Sequence, residues 1–248
     1  MVFARFRRSA RPAAPGPGRD SATGRGSIRF VGLSKSYPGL GTHRKYLLRD
    51  CHALFPAGHK VALLGRNGAG KSTILRMISG AQDYDEGRII RTGSVSWPIG
   101  YGGSFHAELT GAQNIRFVAR VHGVDTDALV EFVQDFAELG ESLYLPYRTY
   151  SSGMRARLAF AVSMGVPFDC YLVDEVTAVG DQRFRDKCEA AFAHRLDRSA
   201  AIMATHSLGQ AKRMCDMGAV LNDGVLTLYD TSEEAVDVHQ FNLKSNPE

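Results

Sequence analysis

Short apolar runs recur along the chain at intervals that suit the strands of a buried sheet. The three clearest are Lys60–Leu64, Cys170–Val173 and Ala200–Ala204, each four or five residues long. Runs of this length, separated by stretches with helical periodicity, are typical of buried parallel strands. Strands that alternate with helices predict an α/β fold with a mainly parallel core sheet.

Helical spacing dominates the middle of the chain. A helix is predicted to begin at Thr110, because Gln113 three residues later gives the spacing of a capping box, and to end at Gly123. The next helix, ending at Gly140, is predicted from apolar residues at the i, i+3, i+4 and i+7 positions of one face. Those residues are Leu129, Phe132, Val133 and Phe136. We expect the helices between about residues 104 and 165 to form a subdomain inserted into the core.

Further elements are predicted on both sides of these runs. Ile28, Phe30 and Tyr46–Leu54 suggest strands ahead of the first core strand. Asn222, Asp223 and Gly224 predict the turn of a β-hairpin. The other predicted helices cover residues 72–79, residues 184–195 and a C-terminal segment that begins at Thr231.

The net charge of +4 is concentrated at the N-terminus. Residues 1–27 contain six arginines and one acidic residue, Asp20, so they carry +5 and the remaining residues sum to −1. This stretch lacks apolar periodicity, and its prolines oppose the amphipathic helix of a transit peptide. We expect residues 1–27 to be a disordered basic tail and residues 243–248 to be a short C-terminal tail. The body of the chain offers no compositional case for binding nucleic acid.

Neither membrane insertion nor a zinc site is expected. The longest apolar candidate for a membrane span, Leu158–Val173, is interrupted by Gly165, Pro167 and Asp169. The four cysteines are scattered, without a CxxC pair. We therefore expect reduced cysteines and a protein that meets a membrane through a partner, if it meets one at all.

A glycine-rich sequence follows the first core strand. Residues 65–73, GRNGAGKST, match the phosphate-binding pattern G-x-x-x-x-G-K-[ST]. Glycines allow the backbone N–H groups to face phosphate oxygens, and the following helix adds the positive end of its dipole. Lys71 adds a positive charge, and the Ser72 hydroxyl is suited to Mg²⁺. The predicted nucleotide-binding residues here are Gly65, Asn67, Gly68, Ala69, Gly70, Lys71, Ser72 and Thr73.

Acidic and polar residues follow two other core strands. Asp174 and Glu175 end the run that begins at Cys170. Asp174 is suited to hold Mg²⁺, and Glu175 can act as the general base for a water that attacks the γ-phosphate of ATP. His206 follows the run Ala200–Ala204, and polar residues beyond the carboxyl ends of parallel strands lie at the ligand-binding edge. We predict catalytic roles for Glu175 and His206, with ATP and Mg²⁺ as cofactors.

The order of these motifs resembles the ATPase domain of ATP-binding cassette (ABC) proteins over about residues 28–240. GRNGAGKST is followed by YSSGM, LVDE, Asp181 and His206. Within that family, TYSSGMRARLAF and DEVTAVGD resemble the ATPase subunits of capsular-polysaccharide exporters, with O-antigen and teichoic-acid exporters as near relatives. The resemblance implies a P-loop NTPase domain over residues 28–242, with an N-terminal antiparallel β portion and an inserted α-helical subdomain.

The resemblance also implies a head-to-tail homodimer that encloses two ATP molecules. Ser151, Ser152 and Gly153 occupy the place of the LSGGQ signature, which contacts the γ-phosphate of the ATP bound to the partner. Ser152 replaces the first glycine of that signature, and Met154 replaces its glutamine. Asp181 matches the aspartate that couples the two sites across the dimer.

Two positions depart from the family pattern or are ambiguous. Tyr37 lies where the family has an aromatic residue that stacks on adenine, and Tyr46 competes with it because an insert makes the spacing uncertain. Most ABC ATPases carry a glutamine before the helical subdomain that touches Mg²⁺ and senses the permease. Residues 97–105, WPIGYGGSF, contain none.

The resemblance implies the ATP-hydrolysing subunit of a capsular-polysaccharide exporter, bound to integral membrane permease subunits on the cytoplasmic face of the bacterial inner membrane. An O-antigen or teichoic-acid exporter is the nearest alternative. A soluble ABC ATPase that acts on DNA or ribosomes is a further alternative, although such proteins typically carry coiled-coil inserts, zinc modules or a second cassette. A small-molecule P-loop kinase would leave YSSGM and His206 unexplained, and importer ATPases usually retain LSGGQ and the glutamine.

Overall fold

A computed structural model of the chain describes residues 24–39, 44–99, 105–174 and 181–245. Residues 1–23 and 246–248 of the predicted tails, and Glu175, lie outside the described residues. Within them, the strands are β1 (Ile28–Pro38), β2 (Arg44–Phe55), β3 (Lys60–Gly65), β4 (Glu86–Arg91), β5 (Val95–Pro98), β6 (Cys170–Asp174), β7 (Ala200–Ala204), β8 (Met217–Asn222) and β9 (Val225–Tyr229). The helices are α1 (Lys71–Ser79), α2 (Gly111–His122), α3 (Thr126–Ala137), α4 (Ser152–Gly165), α5 (Gln182–Leu196), α6 (Leu208–Met214) and α7 (Ser232–Ser245).

The described residues divide into two compact units. We call the first the core unit; it contains all nine strands together with α1, α6 and α7. We call the second the helical unit; it contains α2 to α5. No helix in the part of the chain that the structure describes is long and apolar enough to cross a membrane.

The core unit is built on a six-stranded sheet in the order β5-β6-β7-β3-β8-β9. All neighbouring pairs in it are parallel except β8 and β9, which are antiparallel. A separate antiparallel sheet has the order β2-β1-β4. The predicted α/β class, with a mainly parallel core sheet and an N-terminal antiparallel portion, is confirmed.

The register of the parallel strands aligns the ends that matter for the site. Ala204 at the end of β7 is paired with Asp174 of β6 on one side and with Leu63 of β3 on the other. Because the three strands run in the same direction, the residues that follow them emerge at one edge of the sheet. The carboxyl ends of β3, β6 and β7, which were predicted as apolar runs, therefore lie at the same edge of the sheet.

The hairpin between β8 and β9 forms where the sequence predicts it. Asp223 has φ 47° and Gly224 has φ 81°. Positive φ at both central residues is the geometry of a type I′ turn, whose twist matches that of the flanking strands. The turn follows the carboxyl end of β8, which pairs with Gly65 at the end of β3 through Leu221.

The helical unit packs around aromatic side chains from three helices. Phe136 of α3 contacts Phe132, Phe160 of α4 and Phe184 of α5, with ring centroids 5.6, 6.0 and 5.8 Å away. The sequence analysis placed residues 184–195 outside the inserted subdomain. In the structure α5 belongs to the helical unit because Phe184 packs on Phe136.

Several boundaries differ from the sequence-based expectations. Ordered structure begins before residue 28, since the Thr92 N–H donates to the Ser27 carbonyl (3.0 Å). The helix expected to end at Gly140 ends at Ala137, where Glu138 takes a left-handed conformation (φ 55°). The last helix runs through Ser245, three residues past the predicted end of the domain.

Candidate nucleotide site

The loop between β3 and α1 has the backbone geometry that a phosphate cradle requires. Gly68 and Gly70 have φ 73° and 105°, and a side chain at Gly70 would overlap Leu47. Gly70 is the N-cap of α1, and no side chain caps this helix end. The first N–H groups of an α-helix have no partner within the helix, and the helix dipole favours an anion there.

Lys71 is buried beside this loop. Its side chain is 8% exposed, and Nζ donates hydrogen bonds to the carbonyl oxygens of Gly65 (2.7 Å) and Arg66 (3.1 Å). The ammonium group is thus held against the inner face of the loop. A phosphate that entered the loop would offer this group stronger, charged acceptors than the two carbonyls.

Ser72 and Asp174 meet at the sheet edge, as the predicted Mg²⁺ site requires. The Ser72 hydroxyl donates to Asp174 Oδ1 (3.0 Å), and Asp174 is half-buried at the end of β6. A hydroxyl and a carboxylate are oxygen ligands of the kind that Mg²⁺ prefers when nucleotide phosphates supply the rest. The described residues contain no cluster of three His, Cys, Asp or Glu side chains that could hold a metal alone. The pair fits a metal that arrives with a nucleotide.

His206 lies two residues beyond β7 and is exposed. The residues around it are fixed: the Ser207 N–H donates to Thr205 Oγ1 (3.0 Å), and the Ser207 hydroxyl caps α6. His206 therefore projects from the same sheet edge that carries Asp174. Glu175, the other predicted catalytic residue, lies outside the described residues.

A cleft of about 410 Å³ opens beside the loop in the core unit. It is lined by residues from the loop and α1, from β1 and β2, and from the β8–β9 turn. These residues are Tyr37, Lys45, Tyr46, Leu47, Arg66, Asn67, Gly68, Ala69, Gly70, Thr73, Leu221, Asn222, Asp223 and Gly224. Both candidate adenine-stacking tyrosines thus line the same space.

The two tyrosines differ in how they are held. The Tyr37 hydroxyl accepts a hydrogen bond from Gln82 Nε2 (2.6 Å) and donates to Thr73 Oγ1 of α1 (3.4 Å). Tyr46 has one ring face covered by the Arg49 guanidinium, 4.0 Å from the ring centroid, whereas the ammonium of Lys35 lies 5.3 Å from the Tyr37 centroid. The geometry favours Tyr37, because its ring is tied to the phosphate-binding helix. Gln82 carries no motif, and the sequence analysis did not identify it.

Asp85 holds the strand that carries Tyr37 in place. Asp85 accepts hydrogen bonds from the Ser36 N–H (2.7 Å) and the Ser36 hydroxyl (2.6 Å). These bonds, led by the one from the hydroxyl, hold the pKa of Asp85 below its usual value. The residue before Tyr37 is therefore bound to the loop that follows α1, and no motif predicts this contact.

The predicted signature residues lie in the helical unit, at the start of α4. Ser151 is the N-cap, and its Oγ accepts a hydrogen bond from the Met154 N–H (3.2 Å). Ser151, Ser152 and Gly153 are exposed. The preceding Tyr150 is buried and donates its hydroxyl proton to the Ser142 carbonyl (2.7 Å), which anchors the start of the helix.

Asp181, the other residue predicted to act across a dimer, also lies in the helical unit. It is the N-cap of α5, where Oδ1 accepts from the Phe184 N–H (2.9 Å). Its Oδ2 lies 3.4 Å from an Arg157 guanidinium nitrogen. The structure thus groups Tyr37, residues 65–73, Asp174 and His206 in one unit, and Ser151, Ser152, Gly153 and Asp181 in the other.

Thiol chemistry plays no part in this site. Cys51, Cys170, Cys188 and Cys215 are all buried and unpaired as disulfides. Burial raises the pKa of Cys170 to about 12, so its thiol is protonated at neutral pH.

The first core strand of the parallel sheet runs into a glycine loop and then into α1, and Ser72 and Asp174 meet at the same sheet edge. These features define a P-loop nucleotide-binding protein. A family model described as "ABC transporter" matches residues 48–178, more than half of the chain. The chain belongs to the ABC transporter family.

Comparison with characterised relatives indicates which members of the family this chain resembles. The chain is 47% identical over 194 residues to the capsule polysaccharide export ATP-binding protein CtrD of Neisseria meningitidis. This match covers 78% of this chain and 89% of the relative. It is 44% identical over 217 residues to the polysialic acid transport ATP-binding protein KpsT of Escherichia coli (86% and 96%). The O-antigen export ATP-binding protein RfbB of Klebsiella pneumoniae is 35% identical over 202 residues (79% and 82%). The resemblance to capsular exporters over O-antigen exporters is confirmed.

Among solved structures, the fold matches the dimeric structure of the ATP-binding cassette MJ0796 in a post-hydrolysis state bound to ADP and Pi. The TM-score is 0.67 at 18% identity, over 82% of this chain and 98% of that chain. This likeness supports the fold that the sequence predicts.

Proposed function

We propose that this chain is the ATP-binding and ATP-hydrolysing subunit of an ABC transporter that powers export of a capsular polysaccharide across the inner membrane. The observation that carries the ATPase part is the meeting of three features at one sheet edge: the uncapped start of α1, the buried Lys71, and the Ser72–Asp174 pair. The 47% identity to a capsule polysaccharide export ATP-binding protein supports capsular polysaccharide as the exported class.

ATP binding would reorganise contacts that the loop already makes. The N–H groups at the start of α1 bind the β- and γ-phosphates, and Lys71 exchanges the carbonyls of Gly65 and Arg66 for phosphate oxygens. Ser72 and Asp174 would hold Mg²⁺, whose charge would neutralise that of the phosphates. Tyr37, which lines the same cleft, supplies the ring for the base.

Hydrolysis requires a base and a polar group beyond the strands. Glu175 follows Asp174 directly in the sequence, so we assign it the role of general base for the attacking water. His206 projects from the end of the neighbouring strand β7 and is assigned to position the γ-phosphate. In the sequence each of them follows a core strand, and polar groups beyond the carboxyl ends of parallel strands bind ligands.

The homodimer supplies the second half of each site in this proposal. Ser151, Ser152 and Gly153 are exposed at the start of α4, where backbone N–H groups and the helix dipole favour an anion. A serine hydroxyl can accept one hydrogen bond and donate another. Ser151 can therefore keep its bond from the Met154 N–H and donate its own proton to the partner's γ-phosphate.

Membrane permease subunits are the other proposed partners. On α2, Phe117 is 55% exposed and Val121, one turn later, is 62% exposed. Arg116 and Arg120 are exposed beside them. An apolar pair flanked by positive charge suits a cytoplasmic segment of a permease that presents apolar and acidic side chains. Attachment through such a segment would hold the protein at the cytoplasmic face of the inner membrane.

The proposal is tested by deleting the gene and restoring it as wild type, as Glu175→Gln or as Lys212→Ala. We expect the deletion strain to accumulate lipid-linked polysaccharide inside the cell and to lose surface capsule. Wild type and Lys212→Ala, a charge removed from α6 away from the cleft, should restore export, whereas Glu175→Gln should bind ATP without turnover and fail to restore it. Normal capsule in the deletion strain, or loss of O-antigen instead, would contradict the capsular assignment.

A further inference from the structure

Arg157 contacts groups at the end of α3 and at the start of α5. It lies on α4, its side chain is 20% exposed, and its guanidinium nitrogens lie 3.4 Å from Asp181 Oδ2 and 3.7 Å from Glu138 Oε2. The guanidinium carbon is 4.3 Å from the centroid of the Phe184 ring. The structure thus gives this side chain specific partners on α5 and at the end of α3.

Both carboxylate oxygens of Asp181 have a partner. Its Oδ1 caps α5 by accepting from the Phe184 N–H, and its Oδ2 faces Arg157. The first turn of α5 is therefore tied to α4 by one carboxylate. Because Asp181 itself is 69% exposed, its outer side can still be approached from solvent.

Glu138 provides a second acceptor for Arg157. It ends α3 and receives a hydrogen bond from Lys187 Nζ (2.8 Å), which lowers the pKa of Glu138. Lys187 also donates to the Asp135 and Phe136 carbonyls (both 3.0 Å) at the end of α3. Arg157 thus sits between two carboxylates, so it need not lose all charge compensation if Asp181 moves.

The spacing along α4 connects this cluster to the exposed helix start. Arg157 is six residues after Ser151, about 9 Å along the axis at the rise of an α-helix. One rigid helix therefore carries Ser151, Ser152 and Gly153 at its start and holds Asp181 through a guanidinium less than two turns later.

We propose that Arg157 is a positioning residue that fixes Asp181 to α4, so that the signature residues and Asp181 move as one body when ATP closes the dimer. The proposal rests on the ATPase function proposed above, because it assigns Arg157 no contact with nucleotide. An ion pair with one partner as exposed as Asp181 contributes little to folding stability. A loss of turnover on its removal would therefore report geometry rather than unfolding.

The test compares four variants of the full chain by ATP affinity, steady-state ATPase kinetics and thermal unfolding. Arg157→Ala removes the guanidinium, and Arg157→Lys keeps its charge. Asp181→Asn keeps an amide oxygen that can cap α5 but removes the carboxylate charge. Arg185→Ala is the matched control, since it removes an arginine of α5 whose guanidinium contacts Gln182.

We expect Arg157→Ala to bind ATP as wild type does and to lose about tenfold in kcat, a coupling effect of ordinary size. Arg157→Lys should recover most of that loss, and Asp181→Asn should show a similar loss. The double variant Arg157→Ala/Asp181→Asn should be no slower than the slower single variant, because both changes remove the same contact.

Two results would overturn the inference while leaving the proposed function intact: a kcat of Arg157→Ala equal to that of Arg185→Ala, or fully multiplicative losses in the double variant. If Arg157→Ala does not fold, Arg157→Lys and Asp181→Asn decide the question, and wild-type kcat in Asp181→Asn would refute it. A wild-type chain that binds no ATP would instead refute the proposed function itself.

Discussion

The starts of α1 and α4 are both assigned to phosphate, yet they are built differently. α1 begins at Gly70, in a left-handed conformation, and no side chain caps it. α4 begins at Ser151, whose hydroxyl oxygen accepts from the Met154 N–H. The start of α1 adjoins the buried ammonium of Lys71, whereas Ser151, Ser152 and Gly153 are exposed.

This difference indicates a division of roles. The first N–H groups of a helix have no partner within the helix, and the N-cap of α1, Gly70, has no side chain that could accept from them. The start of α4 already has a side-chain acceptor for one of its N–H groups. We infer that α1 supplies most of the affinity for ATP, and that α4 contributes when two subunits come together.

Of the variants that test this comparison, Lys71→Ala should show the largest effect, a loss of ATP affinity. Loss of its charged hydrogen bonds to phosphate is expected to raise the ATP dissociation constant about 10- to 100-fold, from a contribution of about 1.5–3 kcal/mol. Isothermal titration calorimetry on the purified chain measures this directly. Lys212→Ala removes a lysine of α6 that pairs with Asp237 (3.5 Å), and it should bind ATP as wild type does. Equal affinity in the two variants would mean that the start of α1 does not hold the phosphates.

Ser151 variants should affect turnover rather than affinity. Ser151→Ala removes the hydroxyl, and kcat is expected to fall about tenfold, the value of one hydrogen bond to a charged group. ATP affinity of the single subunit should not change, because the start of α1 is intact. Ser151→Thr keeps the hydroxyl and should stay close to wild type. Both constants are obtained from one set of ATPase and calorimetric measurements.

Ser151→Asp separates capping from phosphate contact. Aspartate is a good N-cap, so the unfolding temperature should match that of wild type. Its negative charge would face the partner's γ-phosphate, and kcat should fall below that of Ser151→Ala. A wild-type kcat in Ser151→Asp would show that no phosphate approaches this helix start.

How much of this could be read from the sequence depends on how local the signal is. The glycine loop, the Asp174 position, the capping box at Thr110 and the turn at Asp223 are set by residues within a few positions of one another. For such features the backbone requirement is visible in the residue types. The three core strands were also predicted, because buried parallel strands are continuous apolar runs.

The missed features depend on contacts between distant parts of the chain. β4 has a single buried residue, Ile89, so its sequence shows no strand pattern. α6 has seven residues and buries only Ala211 among them. Gln82 is identified only by its bond to Tyr37, and Arg157 only by carboxylates 19 and 24 positions away in the sequence, Glu138 and Asp181. No periodicity or motif encodes such partners.

Thr110→Ala should have the smallest effect, and it controls for capping itself. Thr110 caps α2 through a reciprocal box, with the Gln113 N–H donating to Thr110 Oγ1 (3.1 Å) and the Thr110 N–H donating to Gln113 Oε1 (2.9 Å). No phosphate is assigned to this helix start. The free energy of unfolding should fall by about 1 kcal/mol, the usual value of a lost N-cap, and Thr110→Ser should restore it.

The kcat of Thr110→Ala should equal that of wild type. Chemical denaturation and ATPase assays on the same preparations check both values. If Thr110→Ala slowed turnover as much as Ser151→Ala, loss of any cap in the helical unit would be enough to impair the enzyme. The effect of Ser151 would then follow from helix stability, and the contrast between the starts of α1 and α4 would carry no information about phosphate.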